Sequence, residues 1–407
     1  MQKKYFTKIT VKKIWACSVS KFMACHLILC PHMKNIFIPL LLWAFFVLLI
    51  AGCGTTGLGI LTKKTAREKY EQKIEKTAPK QSAAWIYAGD FALQHPLSIP
   101  VPYSETGFIS GGKADATAFY FSVKGGQKIN IHFKKQSPAL LTTYTELWQV
   151  TENNERKLLA SADTLINFIE HAAISPGNYI VRMQPQLETR GSYTFNIIIS
   201  PMLGFPVAAI AQPTIGSFWG DPRDAGVRKH EGIDIFAKKG SKILAVADGT
   251  IDYVEESDIG GKIISLIPFN QSFSVYYAHL DTQLVQDGQK VKEGDVIGTV
   301  GNTGNAMFTT PHLHFGIYTR SGAVDPLSFV KKVTPPQEAT AKNLNEWFKT
   351  SAKTKLYPSP TKQNAYGTAG QVKIKTESYS NNFYRVLLEN GAKAYVAASE
   401  LTDKMKL

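Results

Sequence analysis

Beyond residue 53 the 407-residue chain has no cysteine, since its four are Cys17, Cys25, Cys30 and Cys53. The body of the protein therefore folds without intramolecular disulfides, which chains of this size can do. Acidic residues are missing from residues 1–53, which carry seven Lys and no Arg, so half of the formal net charge of +14 lies in that eighth of the chain. The remainder has 39 basic and 32 acidic residues, an excess too mild to argue for nucleic acid. Charged residues are only 19% and hydrophobic residues 44% of the chain, which excludes both a disordered chain and a multi-span membrane protein. The length suggests two or three domains. Histidine is scarce too, with nine in all and seven after residue 53.

The N-terminus reads as an export segment. Met33-Lys34-Asn35 precedes an apolar run from Ile36 to Ile50 and then Ala51-Gly52-Cys53, a basic start, hydrophobic stretch and small-residue cut site. Ile50-Ala51-Gly52-Cys53 resembles a bacterial lipobox, in which Cys53 is lipidated and becomes the first mature residue. The alternative is an uncleaved membrane anchor. Both place the rest of the chain outside the cytoplasm, and the lipoprotein reading anchors it to a membrane through Cys53, with Gly54 favouring the outer one. Residues 1–52 are the expected signal, and a start at Met33 shortens it to 20 residues, so residues 1–32 are read as an upstream mis-start.

Residues 53–84 then read as a tether and charged spacer, rich in Lys and Glu with almost no apolar stripe. Residues 85–200 alternate apolar and polar residues in segments such as Lys128-Ile129-Asn130-Ile131-His132-Phe133, separated by Gly-Gly or Pro-Gly turns, which predicts an antiparallel β-sandwich. Pro176-Gly177-Asn178-Tyr179-Ile180-Val181 resembles the closing strands of pre-peptidase, jelly-roll-like domains. A β-rich segment over 201–332 and a Pro-Pro linker over 333–350 follow. In 351–407, Leu356-Tyr357-Pro358, Phe383-Tyr384-Arg385-Val386 and Ala394-Tyr395-Val396 resemble a small bacterial Src-homology-3-like barrel, either structural or wall-binding. The expected fold class is mainly β throughout.

Four of the seven body histidines fall in three patches between residues 230 and 314: His230-Glu231-Gly232-Ile233-Asp234, Tyr277-Ala278-His279-Leu280 and His312-Leu313-His314-Phe315. His95, His132 and His171 lack ligand spacing and read as structural or surface residues. Imidazole and carboxylate together suit zinc. In a strand His312 and His314 share one face while Leu313 and Phe315 turn to the core. His230 and Asp234 would stand about 13 Å apart if extended, so sharing a metal requires a bend, for which Gly232 supplies freedom. Tyr277 and His279 are expected on one face of a strand over residues 273–278.

His-x-x-x-Asp, aromatic-x-His-Leu and His-x-His, in that order, resemble the signature of the LytM/lysostaphin-type zinc endopeptidases, which cut peptidoglycan cross-links. Phe218-Trp219-Gly220-Asp221-Pro222-Arg223 before the first motif and Val300-Gly301-Asn302-Thr303-Gly304 before the last agree with that family. The resemblance covers residues 213–330. It makes His230, Asp234 and His314 zinc ligands, leaving a fourth position for water, and places His279 and His312 beside that water as catalytic residues. Glu231 is an alternative base, although a ligand's neighbour in a strand usually points away. Asn302 and Thr303 are expected to shape a loop.

The leading expectation is thus a lipid-anchored zinc endopeptidase of the periplasm or cell envelope, with peptidoglycan as partner and no nucleic acid. A non-catalytic LytM-type regulator that activates an amidase or binds the wall is the alternative, and a secreted protease acting on other proteins is a third.

Overall fold

The structure, a computed structural model, describes residues 64–136, 141–338, 340–341 and 343–405. The export segment and Cys53 lie outside the described residues. The chain is mainly β, as its alternation predicts, and its strands gather around two large hydrophobic cores.

The first core lies between two sheets. One has five strands, in the order Leu97–Ser98, Thr117–Val123, Gly177–Pro185, Thr143–Val150 and Arg156–Ser161. The facing sheet carries Tyr103–Ile109, Gly191–Pro201, Gln127–Lys135 and Phe168–Ala173. Period-2 alternation explains the packing: Ile129, Ile131 and Phe133 point inward and are buried, while Lys128, His132 and Lys134 turn outward.

Two features correct the sequence reading. The described part of the expected charged spacer, from residue 64, is not free, because helix Ala66–Thr77 packs against the sandwich. Tyr70 and Ile74, one turn apart, meet Trp85 and Tyr144, and Arg67 Nε donates to Gln184 Oε1 at 2.7 Å. Tyr70 and Ile74, with Ala66, carry this docking, and the surrounding charges hide them in composition. A second helix, Pro79–Gln94, also occupies the start of what reads as sandwich, with Trp85 fully buried and its indole donating to Pro185 O at 2.8 Å.

The C-terminal strands likewise do not close a barrel of their own. Lys373–Ser380, Phe383–Leu388 and Lys393–Ala397 continue the sandwich's second sheet, because Thr106 and Gly107 pair with Tyr379 and Ser378. Trp347–Lys349 adds to the same sheet, making eight strands. Tyr357, Phe383 and Tyr395 belong to the sandwich core, while Phe348, Ile374, Val386 and Val396 form a small core on the other side. A buried polar knot locks the junction. Glu105 accepts from Arg385 Nη1 at 2.7 and 2.8 Å, from Tyr103 and Tyr193 hydroxyls at 2.7 and 2.8 Å, and from Ser378 at 2.8 Å.

The second core underlies a ten-stranded sheet that holds every histidine motif of the chain's centre. Its path runs Thr214–Ser217, Ile233–Phe236, His312–Thr319, Phe273–Gln283, Gly261–Pro268, Gly249–Ser257 and Lys290–Val291.

Candidate metal centre

Strand Ile233–Phe236 lies antiparallel to His312–Thr319, with Asp234 directly opposite His314 and Phe236 opposite His312. Ile233, Ile235, Leu313 and Phe315 are fully buried on the core side, so Asp234, His312 and His314 share the other face. His230 joins them by a turn at Gly232. A Cβ on residue 232 would sit 2.6 Å from Phe315 O and 2.7 Å from His314 Cε1, so glycine is required there for close approach.

Three donor atoms converge. His230 Nε2 lies 3.0 Å from Asp234 Oδ1 and 3.0 Å from His314 Nδ1, and the latter is 3.1 Å from Asp234 Oδ1. Among the described residues this is the group of histidine, cysteine or acidic side chains whose atoms close to within 4.8 Å. The donor set fits zinc: ligands at about 2.0–2.1 Å in tetrahedral array stand roughly 3.3 Å apart, close to the spacing seen. Burial would raise the Asp234 carboxyl, but hydrogen bonds and charge from His230 and His314 outweigh it and hold the group well below the usual carboxylate range. Burial lowers His314 in turn, against the pull of Asp234.

The rest of the shell fixes these donors. His230 Nδ1 donates to the Phe218 carbonyl at 2.9 Å, which leaves Nε2 with its lone pair toward the centre. Arg223 Nη2 donates to Asp234 Oδ2 at 2.8 Å and to Ser217 Oγ at 2.6 Å. Ser217 passes its own proton toward Asp221 Oδ2 at 3.1 Å, and that oxygen also accepts from Phe218 N at 2.7 Å. Arg223 is a residue to which sequence reasoning assigned no role. Its position eleven residues before Asp234 carries no ligand spacing, and only the hairpin of Pro222–Arg223 with Arg228–Lys229 brings it back.

His279 reaches the same face as His312 by a route that alternation does not foresee. Tyr277 and His279 do not share a face. Tyr277 is fully buried in the core, where its hydroxyl accepts from Val246 N at 3.2 Å. A bulge shifts the register between Lys262 opposite Leu280 and Ile264 opposite Tyr277, and His279 adopts a φ of 62°. The extra residue turns its ring onto the histidine face, with its centroid 5.1 Å from His312 and 5.9 Å from His314. Its strand also runs on past residue 278, to Gln283. His279 Nδ1 donates to Thr303 O at 3.0 Å and His312 Nδ1 to Thr310 O at 2.8 Å, so each ring keeps its Nε2 free of that bond. Burial, then the neighbouring His312 and His314, push His279 down to about 4. It is therefore a neutral imidazole near pH 7. His312 Nε2 lies 3.9 Å from Asp234 Oδ1.

Other candidates stay outside. Glu231 is exposed. Thr303 does shape its loop, since its hydroxyl bridges Leu280 O at 2.8 Å and Lys262 N at 2.9 Å, but its carbonyl also holds His279. His95, His132 and His171 sit beside Phe91, Phe168 and Tyr179, remote in the fold from the cluster.

Residues 228–326 match peptidase family M23. The chain is 35% identical over 264 residues to the murein hydrolase activator NlpD of Salmonella dublin, covering 61% of this chain and 64% of that protein. It is 34% identical over 129 residues to an L-Ala--D-Glu endopeptidase of Bacillus subtilis, covering 30% of this chain and 39% of that protein. Among solved structures it is similar to the catalytic domain of lysostaphin from Staphylococcus simulans, at 32% identity, 30% coverage of this chain, 97% of that chain and a TM-score of 0.27. The chain thus spans less than two thirds of the length of these two curated relatives. Residues 228–326, the segment that matches peptidase family M23, carry the whole histidine and aspartate cluster.

Proposed function

We propose that the protein is a zinc endopeptidase that hydrolyses peptide cross-links of bacterial peptidoglycan, held at the cell envelope by a lipid on Cys53, with outer-membrane sorting favoured. The observation that carries this reading is the complete, mutually tied donor set of His230, Asp234 and His314, with two further histidines on the same face. Relatives named as a murein hydrolase activator and an L-Ala--D-Glu endopeptidase support the substrate class.

When bound, zinc supplies Lewis acidity to the scissile carbonyl. The chain's own residues do the rest. His279, neutral and oriented by Thr303, presents an Nε2 lone pair able to take a proton from the attacking water. His279 then returns that proton to the leaving amine, and His312, oriented by Thr310, presents its Nε2 on the same face beside the developing oxyanion. Phe218 and Arg223 keep His230 and Asp234 aimed. Mass spectrometry of muropeptides after digestion of purified sacculi tests the reading: cross-linked dimers should fall and a new free amine should mark the bond cut. Unchanged muropeptides from zinc-loaded protein would overturn it.

A second reading, a non-catalytic activator of an amidase, is favoured by one observation. The alignment with the murein hydrolase activator spans 61% of this chain, twice the share of the endopeptidase alignment. Under that reading the zinc-loaded chain leaves sacculi intact alone and raises glycan-strand release when an amidase is added.

A further inference from the structure

Beside the metal centre, on the His312 side, a groove of about 590 Å³ is lined by Phe236, Lys238, Lys239, Gln212, Thr310 and Pro311. Two of these residues tie it to the chemistry. The Phe236 ring lies 5.3 Å from the His312 ring, and the Thr310 carbonyl accepts the proton of His312 Nδ1 at 2.8 Å. A chain leaving the metal centre past His312 therefore enters this groove.

Its charge has one sign. Lys239 is already engaged with Asp281, at 3.1 Å. Lys238 is exposed and, among the described residues, has no ion-pair partner. Its backbone carbonyl accepts from Ser241 N at 3.0 Å and Oγ at 2.5 Å, so the turn that presents the ammonium does not depend on the side chain. Among the described residues no acidic side chain lines the groove, and its apolar lining includes Phe236 and Pro311.

We propose that this groove is a substrate subsite that takes a carboxylate-bearing segment of peptide, with Lys238 as the determinant of acidic over amidated stems. The ring of Phe236 carries the peptide's apolar stem and the ammonium of Lys238 meets the carboxylate. The subsite rests on the peptidoglycan-directed reading above and names which chemistry of stem that site selects. Because it concerns binding, its test does not need turnover.

The experiment compares two immobilised tetrapeptides, L-Ala-γ-D-Glu-meso-diaminopimelate-D-Ala and its fully amidated counterpart. Each is presented to the zinc-loaded full chain in detergent at low and high salt. Wild type should favour the acidic peptide by up to about fivefold, the range of a solvent-exposed ion pair, and lose that preference at high salt. Lys238→Ala should abolish the preference and Lys238→Glu should reverse it, while Lys113→Ala on a remote exposed loop should leave it intact. Comparing wild type with Lys238→Ala cancels any contact of the carboxylates with the metal. A preference as large in Lys238→Ala as in wild type overturns the subsite. Muropeptides left uncut while the Lys238-dependent preference stands would count against the endopeptidase reading alone.

Discussion

Arg223 holds one oxygen of Asp234 and leaves the other to the histidines: Nη2 lies 2.8 Å from Oδ2, whereas Oδ1 faces His230 and His314 at 3.0 and 3.1 Å. The arginine thereby sets which lone pair of the carboxylate points at the centre. Replacing it with Gln should lower zinc affinity roughly 10–100-fold, the usual effect of removing a group that orients a ligand. Competition against a chromogenic chelator reads this directly. Lys at the same position should restore part of the affinity through its charge, and affinity equal to wild type in Arg223→Gln would contradict the assignment.

Gly232 should tolerate no side chain. A Cβ there meets Phe315 O and the His314 ring at 2.6 and 2.7 Å, in a packed sheet that has no room to give. Gly232→Ala is expected to displace His314 and to lose zinc stoichiometry. Gly367→Ala, at an exposed site where a Cβ meets nothing within 4 Å, should bind zinc as wild type does.

His279 separates metal binding from chemistry. It touches the cluster through ring contacts and through the Thr303 carbonyl rather than through the three converging donors. His279→Ala should keep one zinc per chain by elemental analysis and lower hydrolysis by about 10²–10⁴-fold, the usual contribution of a positioned acid or base. Loss of the metal together with activity would place His279 among the ligands instead.

The C-terminal strands should prove part of the sandwich. Glu105 and Arg385 come from opposite ends of the described chain, are 0% and 2% exposed, and share two hydrogen bonds. Removing either partner alone strips a buried charge of its nearest counter-charge, leaving Arg385 only Glu377 at 3.2 Å in Glu105→Ala, and should cost about 3–5 kcal/mol. Thermal unfolding of Glu105→Ala, Arg385→Met and Glu105→Leu/Arg385→Met checks it. The single variants should melt well below the double variant, and a melting temperature unchanged in the single variants would show the two regions to be independent.

The cluster of four histidines and Asp234 was legible in the sequence because its five members fall in short motifs whose spacing survives folding. His312 and His314 share a face, and Leu313 and Phe315 reach the core, as strand alternation alone requires. His279 reached the site through a bulge and a left-handed backbone that no alternation reveals, since period 2 would have buried it beside Tyr277. Gly232 is needed for proximity to His314 more than for a bend. Arg223 was hidden because a hairpin, not spacing, returns it to Asp234. The strands around Lys373–Ser380 looked like a separate module because local pattern carries no trace of a partner strand some 270 residues earlier. Helix Ala66–Thr77 was hidden by its charges, which surround the few apolar residues that dock it.

The claim that unites these observations is hydrolysis of wall peptide at the His230, Asp234 and His314 centre. Its most direct measurement is the release of free amines from purified sacculi by the full chain, with zinc content determined on the same sample. Wild type should hold one zinc and release amines steadily, and His314→Ala should do neither. One tightly held zinc in wild type without amine release beyond that of His314→Ala would contradict the account.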